Sequence, residues 1–269
     1  MRRLEGRTAV VTGAGSGIGR ATALELAARG VHLALVDRAP RGLEETGEML
    51  ADSSPRVSLH EVDVASSDQV QALAREVDRV HGGAHVLINN AGVTTAGRFA
   101  QESLEDIHWI VDINLWGVVH GCKYFLPQLE SKDEAHIVNL SSMVGLLGLP
   151  RNASYALTKG AVRSFTESLR GELRGSRIGV TSVHPGAIRT AITESARGSD
   201  AERIIRMGRM PAADTLMRPP AVVARRIVSA IDRDRARVVV GPDARLLDLA
   251  SRLAPGRTGL LGRALDRFA

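Results

Sequence analysis

The chain has 269 residues, 35 basic and 30 acidic, for a formal net charge of +5, with 44% hydrophobic and 24% charged residues. That length and balance suit one large folded domain and exclude a wholly disordered chain, and aromatics at 3% leave the core to aliphatic side chains. The excess of base is local: residues 1–196 hold 20 basic and 22 acidic side chains and residues 197–269 hold 15 and 8, with no zinc-finger spacing or basic heptad run that would read nucleic acid.

From the N-terminus, Met1–Arg7 is charged and no apolar leader follows it, and no uncharged run is long and apolar enough to span a bilayer; a cytoplasmic protein is expected. Aliphatic runs at Thr8–Thr12, His32–Val36, Val57–Val62, His85–Ile88, His136–Leu140, Gly179–Val183 and Arg237–Val240 read as strands. Between them Gly17–Arg29, Arg41–Ala51, Ser66–Val80, Ser103–Glu130, Ala153–Arg174 and Pro219–Asp232 carry helical periodicity. Strands alternating with helices imply βαβ units, hence an α/β domain with one doubly wound parallel sheet of about seven strands covered on both faces. No linker divides residues 1–242. The single Cys122 lies in the apolar-periodic stretch Trp116–Leu129, which points to a buried structural thiol in a reducing compartment. Two segments stand outside the alternation: a lid, 191–218, with Met207, Met210, Met217, Ile204, Ile205 and Leu216, and a tail, 243–269, where Leu246 to Leu253 and Leu260 to Phe268 suggest two short amphipathic helices.

The first strand runs into Gly13-Ala14-Gly15-Ser16-Gly17-Ile18-Gly19 and then into a helical pattern. Glycines at 13, 17 and 19 permit positive φ, close backbone approach to a pyrophosphate, and tight helix–strand packing, while the helix start offers free N–H groups and its positive dipole end. Asp37 closes the second strand, where a carboxylate can hold both adenosine ribose hydroxyls. A 2′-phosphate about 4 Å from that carboxylate would be repelled by roughly 4 kcal/mol per charge pair at an effective dielectric near 20, about three decades of affinity. NAD is therefore favoured over NADP, and Arg38, which could clamp a 2′-phosphate, keeps NADP open.

Thr12-Gly13-x-x-x-Gly17-x-Gly19, Asn89-Asn90-Ala91-Gly92 and Tyr155-x-x-x-Lys159 together resemble the short-chain dehydrogenase/reductase family over residues 5–240. The resemblance implies a Rossmann-type sheet and a nicotinamide dinucleotide. It places Asp63-Val64 at the adenine and Asn90-Ala91-Gly92 along the adenosine ribose.

Tyr155 and Lys159 are four residues apart on a predicted helix and so share one face. An unperturbed tyrosine, with pKa about 10, is a poor base near neutrality. A lysine ammonium about 5 Å away favours phenolate by roughly 3 kcal/mol, or about two pKa units, at an effective dielectric near 20. Ser142 stands 13 residues before Tyr155, the family's spacing for the serine that hydrogen-bonds the substrate oxygen. Asn114 resembles the family's helix-bending asparagine, which holds a water beside the lysine. Pro185-Gly186-Ala187-Ile188-Arg189-Thr190 resembles the segment that fixes the carboxamide through the Ile188 backbone and the Thr190 hydroxyl. His184 is expected to be structural, and the other seven histidines lack ligand-pair spacing, so no metal is expected.

The expected activity is interconversion of a secondary alcohol and a ketone. Met143 and Val144, with Leu146 and Leu147, face the methionine-bearing lid, which points to a hydrophobic, lipid- or steroid-like substrate. Alternatives are an NADPH-dependent 3-oxoacyl reductase and a non-enzymatic dinucleotide sensor. By resemblance, the helices matching Ser103–Glu130 and Ala153–Arg174 would form a homodimer or homotetramer. The tail could cap a partner subunit, extend the lid, or lie weakly on an anionic membrane surface.

Overall fold

The aliphatic runs form seven strands: β1 (Thr8–Thr12), β2 (His32–Asp37), β3 (Val57–Glu61), β4 (Val86–Asn89), β5 (Ala135–Leu140), β6 (Ile178–Pro185) and β7 (Arg237–Val240). The computed structural model that shows them describes residue 1 and residues 3–51, 56–210 and 217–253. The strands lie parallel in the order β3-β2-β1-β4-β5-β6-β7. Register pairs Thr12 with Val36, Val11 with Ile88 and Asn89 with Asn139, so the carboxyl ends align along one rim. Between β1 and β4 the winding reverses, and a crevice opens above that rim.

Helices α1 (Gly17–Ala27), α2 (Pro40–Met49), α3 (Ser67–His81), α4 (Leu104–Val111), α5 (Gly117–Glu130), α6 (Ala153–Glu172), α7 (Ala201–Arg209), α8 (Pro220–Asp232) and α9 (Pro242–Leu253) complete the described elements. Serine side chains start two of them: Ser66 accepts from the Gln69 N–H and Ser103 from the Asp106 N–H. All residues of β1, β4 and β5 are buried, as a sheet covered on both faces requires. Leu26, Ile227 and Ile231 pack one face, and Phe125, Leu129 and Val162 the other.

One predicted element is broken. The expected single helix Ser103–Glu130 is α4 and α5 joined by a π-helical turn, Asp112–Trp116. The wider turn carries Asn114, whose side-chain amide is fully buried: Oδ1 accepts from the Val93 N–H (2.8 Å), and Nδ2 donates to the Val93 carbonyl (2.9 Å) and the Thr158 hydroxyl (3.2 Å). A side chain that replaces a neighbouring strand end's backbone partners is a physical reason for the helix to widen there.

Cys122 is buried beside Asn89 and Asn139, and burial pushes its thiol up to about 12. Among its described residues the lid holds a 3-10 turn, Ala191–Thr193, and α7; residues 211–216 and the Met207 side chain lie outside the described part. The first tail helix is α9, and the second, 260–268, lies outside the described residues. Ala244 and Leu247 of α9 are buried, and its Asp248 pairs with Arg237 of β7, so residue 242 falls inside packed structure. Among the described residues no helix is long and apolar enough to cross a membrane.

Candidate active site

A cleft of about 350 Å³ occupies the crevice at the strand carboxyl ends. Of the predicted cofactor residues, Gly13, Ser16, Gly17, Ile18, Asp37, Arg38, Asp63, Val64, Asn90, Ala91, Gly92, Pro185, Gly186, Ile188 and Thr190 line it, as do Ser142, Tyr155 and Lys159. Thr12, Gly15, Gly19 and Asn114 stand behind the wall and shape it. Thr12 Oγ1 accepts from the Asn90 and Ala91 N–H groups (2.9 and 3.0 Å), fixing the turn after β4 against the glycine loop. At Gly19 a Cβ would lie 2.0 Å from the Gly13 carbonyl oxygen, so only glycine lets α1 close on the loop.

The loop fits an anion. Ser16 precedes α1 without a side-chain cap, leaving first-turn N–H groups open to the cleft at the helix's positive end. Arg20 braces the loop from behind, donating to the Gly15 carbonyl, Thr46 and Glu45, while Thr46 donates to the Ala14 carbonyl. Asp37 is fixed at both carboxylate oxygens: Oδ2 accepts from the Gly15 N–H (2.8 Å) and Oδ1 from the Ala39 N–H (3.0 Å). Arg38 beside it is exposed. Asp37 ends β2 whereas Ser142 follows β5, three strands along the sheet or roughly 14 Å at 4.8 Å per strand, so the cleft has two chemically different ends. A dinucleotide fits this arrangement, with its phosphates at the helix start between the Asp37 carboxylate and the Tyr155 phenol.

At the second end α6 presents Tyr155 and Lys159 one turn apart. The neighbouring Ser142 hydroxyl draws the Tyr155 phenol down, but burial is the larger effect and holds it above its ordinary value. Lys159, 3% exposed, donates to the Leu140 carbonyl (3.0 Å), with Nζ 5.8 Å from the centre of the Tyr155 ring; burial pushes it down to about 8. From the sequence, the lysine is expected to bring the phenol down. In this structure burial dominates, and the influence that opposes it comes from Ser142. A Cβ at Gly92 would sit 3.1 Å from Asn114 Oδ1 and 3.3 Å from Lys159 Nζ, so both polar atoms flank one open point.

His184 Nδ1 lies 3.3 Å from the Ser142 carbonyl and Nε2 lies 2.9 Å from the Ser182 hydroxyl. The carbonyl requires the proton on Nδ1, which makes Nε2 the acceptor. Burial pushes this imidazole down to about 4, so it is neutral and fixes the serine's backbone. Met143 and Val144 do not reach the cleft wall; Val144 is buried behind it, donating its N–H to Ser142 Oγ. Ala191, Ile192 and Ser195, from the start of the expected lid, also line the cleft, as does Val93, which was not anticipated because it lies in a loop without periodicity. Among the described residues no three His, Cys, Asp or Glu side chains are grouped to hold a metal ion.

Residues 7–201 match the sequence profile of the short chain dehydrogenase family. The oxidoreductase SadH of Mycobacterium tuberculosis is 39% identical over 255 residues, covering 94% of this chain and 92% of its own. A 3-oxoacyl-[acyl-carrier-protein] reductase of Thermotoga maritima is 33% identical over 71% of this chain and 78% of its own. A short chain dehydrogenase/reductase from Burkholderia phymatum, solved in complex with NAD, superposes with a TM-score of 0.84 at 32% identity over 95% of this chain and 96% of its own. With the seven-stranded sheet, the glycine loop and the Ser142–Tyr155–Lys159 grouping already in one crevice, this match over most of the length makes the chain a member of the short chain dehydrogenase family.

Proposed function

We propose that the protein interconverts a hydrophobic secondary alcohol and its ketone by hydride transfer with NAD, using Tyr155 as acid and base. The observation that carries this reading is the meeting, at one end of the cleft, of the Tyr155 phenol, the Ser142 hydroxyl beside it and the buried Lys159 ammonium. The cofactor supplies or accepts the hydride at its nicotinamide ring. In reduction the Tyr155 Oη–H gives its proton to the carbonyl oxygen, and in oxidation the phenolate takes it from the carbinol. Ser142 Oγ–H donates to the same oxygen and holds it against Tyr155. Lys159, cationic below about pH 8, favours phenolate over phenol, and Asn114 Oδ1 beside it supports a water that returns the proton to solvent.

Preference for NAD over NADP is supported by Asp37, whose two backbone hydrogen bonds resist the rotation that would let Arg38 take a 2′-phosphate, and by the NAD-bound relative. Val93, Ile188, Ala191 and Ile192 support an apolar substrate. Exposed Leu104, Trp116 and Leu157 on α4, the π turn and α6 support a homodimer through those helices. The similarity to a 3-oxoacyl reductase supports a second reading in which an acyl ketone is reduced.

Turnover of NAD(H) and NADP(H) across a mixed panel of alcohols and ketones, with the parent chain and Tyr155→Phe, tests this. Expected are NAD-linked turnover of apolar substrates and, in the variant, loss of turnover with NADH binding kept. Activity surviving Tyr155→Phe overturns the mechanism, and turnover confined to short polar alcohols overturns the substrate class.

A further inference from the structure

The segment that leaves β6, Pro185–Thr190, forms the cleft wall beside Ser142, whose carbonyl is bonded to His184 just before it. Its peptide groups are almost fully accounted for. The Gly186 N–H donates to the Val240 carbonyl (2.8 Å), the Ala187 carbonyl accepts from the Arg218 N–H (3.0 Å), and the Arg189 N–H donates to the Arg218 carbonyl (3.0 Å). Ile188 and Arg218 form a parallel bridge in which the residues on either side of Ile188 do the bonding. The Ile188 peptide therefore faces away from Arg218, and its N–H, unlike those of Gly186, Ala187 and Arg189, meets no acceptor among the described residues.

The remaining N–H, that of Ala187, donates to a side chain 56 residues away: Oδ2 of Asp243, at 2.7 Å, in the first turn of α9. Space for that carboxylate is cleared by two glycines. A Cβ at Gly186 would lie 2.2 Å from Asp243 Oδ2, and one at Gly241, where φ is +110°, would lie 2.3 Å from Oδ1. The charge also sits at the favourable end of its helix. Asp243 thus ties the C-terminal helix to the residue next to the Ile188 N–H, which faces the cleft with no acceptor among the described residues.

We infer that Asp243 is a positioning residue for the redox end of the cofactor: by accepting from Ala187 it fixes the strand that presents the Ile188 N–H to a carbonyl-bearing ring, and so couples α9 to cofactor geometry. This rests on the dinucleotide reading above. It assigns the tail helix a part in recognising the half of the cofactor that reacts, while the adenosine ribose is served by Asp37 at the end of β2, five strands along the sheet from β7 and the α9 that follows it. A charge-assisted bond to a backbone N–H, once removed, leaves that N–H without its acceptor and frees the wall on one side.

The test compares two ligands. NADH carries both halves, and ADP-ribose carries the adenosine half without the nicotinamide. In Asp243→Ala, NADH is expected to bind about tenfold more weakly while ADP-ribose binds within about twofold of the parent. Asp243→Asn keeps an acceptor oxygen in the same place and is expected to recover most of the lost NADH affinity. Gly186→Ala, whose methyl would displace the carboxylate, is expected to reproduce the alanine phenotype. Unchanged NADH affinity in Asp243→Ala overturns the inference, as does an equal loss for both ligands, which would mark a general folding role. A parent chain that binds neither ligand overturns the dinucleotide reading itself, before any variant is made.

Discussion

Lys159 shows what the site costs the fold. Its folded pKa of about 8 against an ordinary 10.5 means that the protonated form is disfavoured by burial. Because the unfolded chain binds this proton more tightly, the group's contribution to stability is lowest below pH 8, rises as pH climbs from 8 to 10.5, and is level above that. The difference corresponds to about 3 kcal/mol at pH 7, of which about 1 kcal/mol is set against the Leu140 carbonyl that would lose its donor. Lys159→Met is therefore expected to abolish turnover yet raise unfolding stability by about 2 kcal/mol at pH 7, and to lower it by about 1 kcal/mol above pH 10.5, where the native lysine is already neutral and only the lost bond to Leu140 counts. Urea denaturation at the two pH values checks it, and a variant less stable than the parent at pH 7 contradicts it. Asp37→Ser is expected to lower the NAD-to-NADP preference by about two to three decades in kcat/KM, since the repelling charge is gone and Arg38 is already exposed at the wall. Tyr155, Lys159 and Asp37 were legible because each sits at a fixed offset on a periodic element. Asp243 was not, because what it meets is a distant backbone N–H, and no local pattern in the chain encodes that pairing.

Among the elements, the strands were legible to within two residues at each end, since short aliphatic runs between helical stretches leave few other assignments. The π turn was not. Apolar positions continue on both sides of it, so the periodicity of 103–130 reads as one helix, and only the backbone of Val93, 21 residues earlier, shows why the turn widens. Asn114→Ala removes an acceptor and a donor that satisfy a buried peptide, and a loss of about 2 kcal/mol in unfolding stability is expected, with a fall in kcat beyond what the loss of fold explains. Calorimetry and kcat at a temperature where both proteins are folded separate the two effects. The lid's described part is latched at its near side: Arg197 stacks 4.1 Å from the Trp109 ring centre and pairs with Asp106, while Arg151 pairs with Asp200 at 2.7 Å. Arg197→Ala is expected to raise substrate KM about threefold to tenfold, in keeping with the roughly 1 kcal/mol of a cation over an indole, while cofactor affinity stays unchanged.

At the scale of the molecule, the charge asymmetry of the sequence takes on a structural meaning. Part of the basic excess in the last third is used internally, with Arg237 and Arg252 meeting Asp248 and Arg197 meeting Asp106, while Arg225, Arg226 and Arg233 of α8 and its end remain exposed. Truncation separates the roles of the tail: removing 254–269 is expected to leave NADH affinity near the parent's, whereas removing 243–269 is expected to lower it at least as far as Asp243→Ala. Light scattering on the same two chains reads the oligomer, and an unchanged mass after the longer deletion counts against a tail that caps a partner subunit. Finally, the only thiol of the chain, buried between Asn89 and Asn139 and raised to about 12, is neither exposed nor ionised in the native state. A disulfide reagent should therefore leave the folded protein unlabelled and react once per chain as the sheet opens. The protein thus carries a built-in optical reporter of its own unfolding, usable without engineering, and oxidants that silence thiol-dependent enzymes should pass it by.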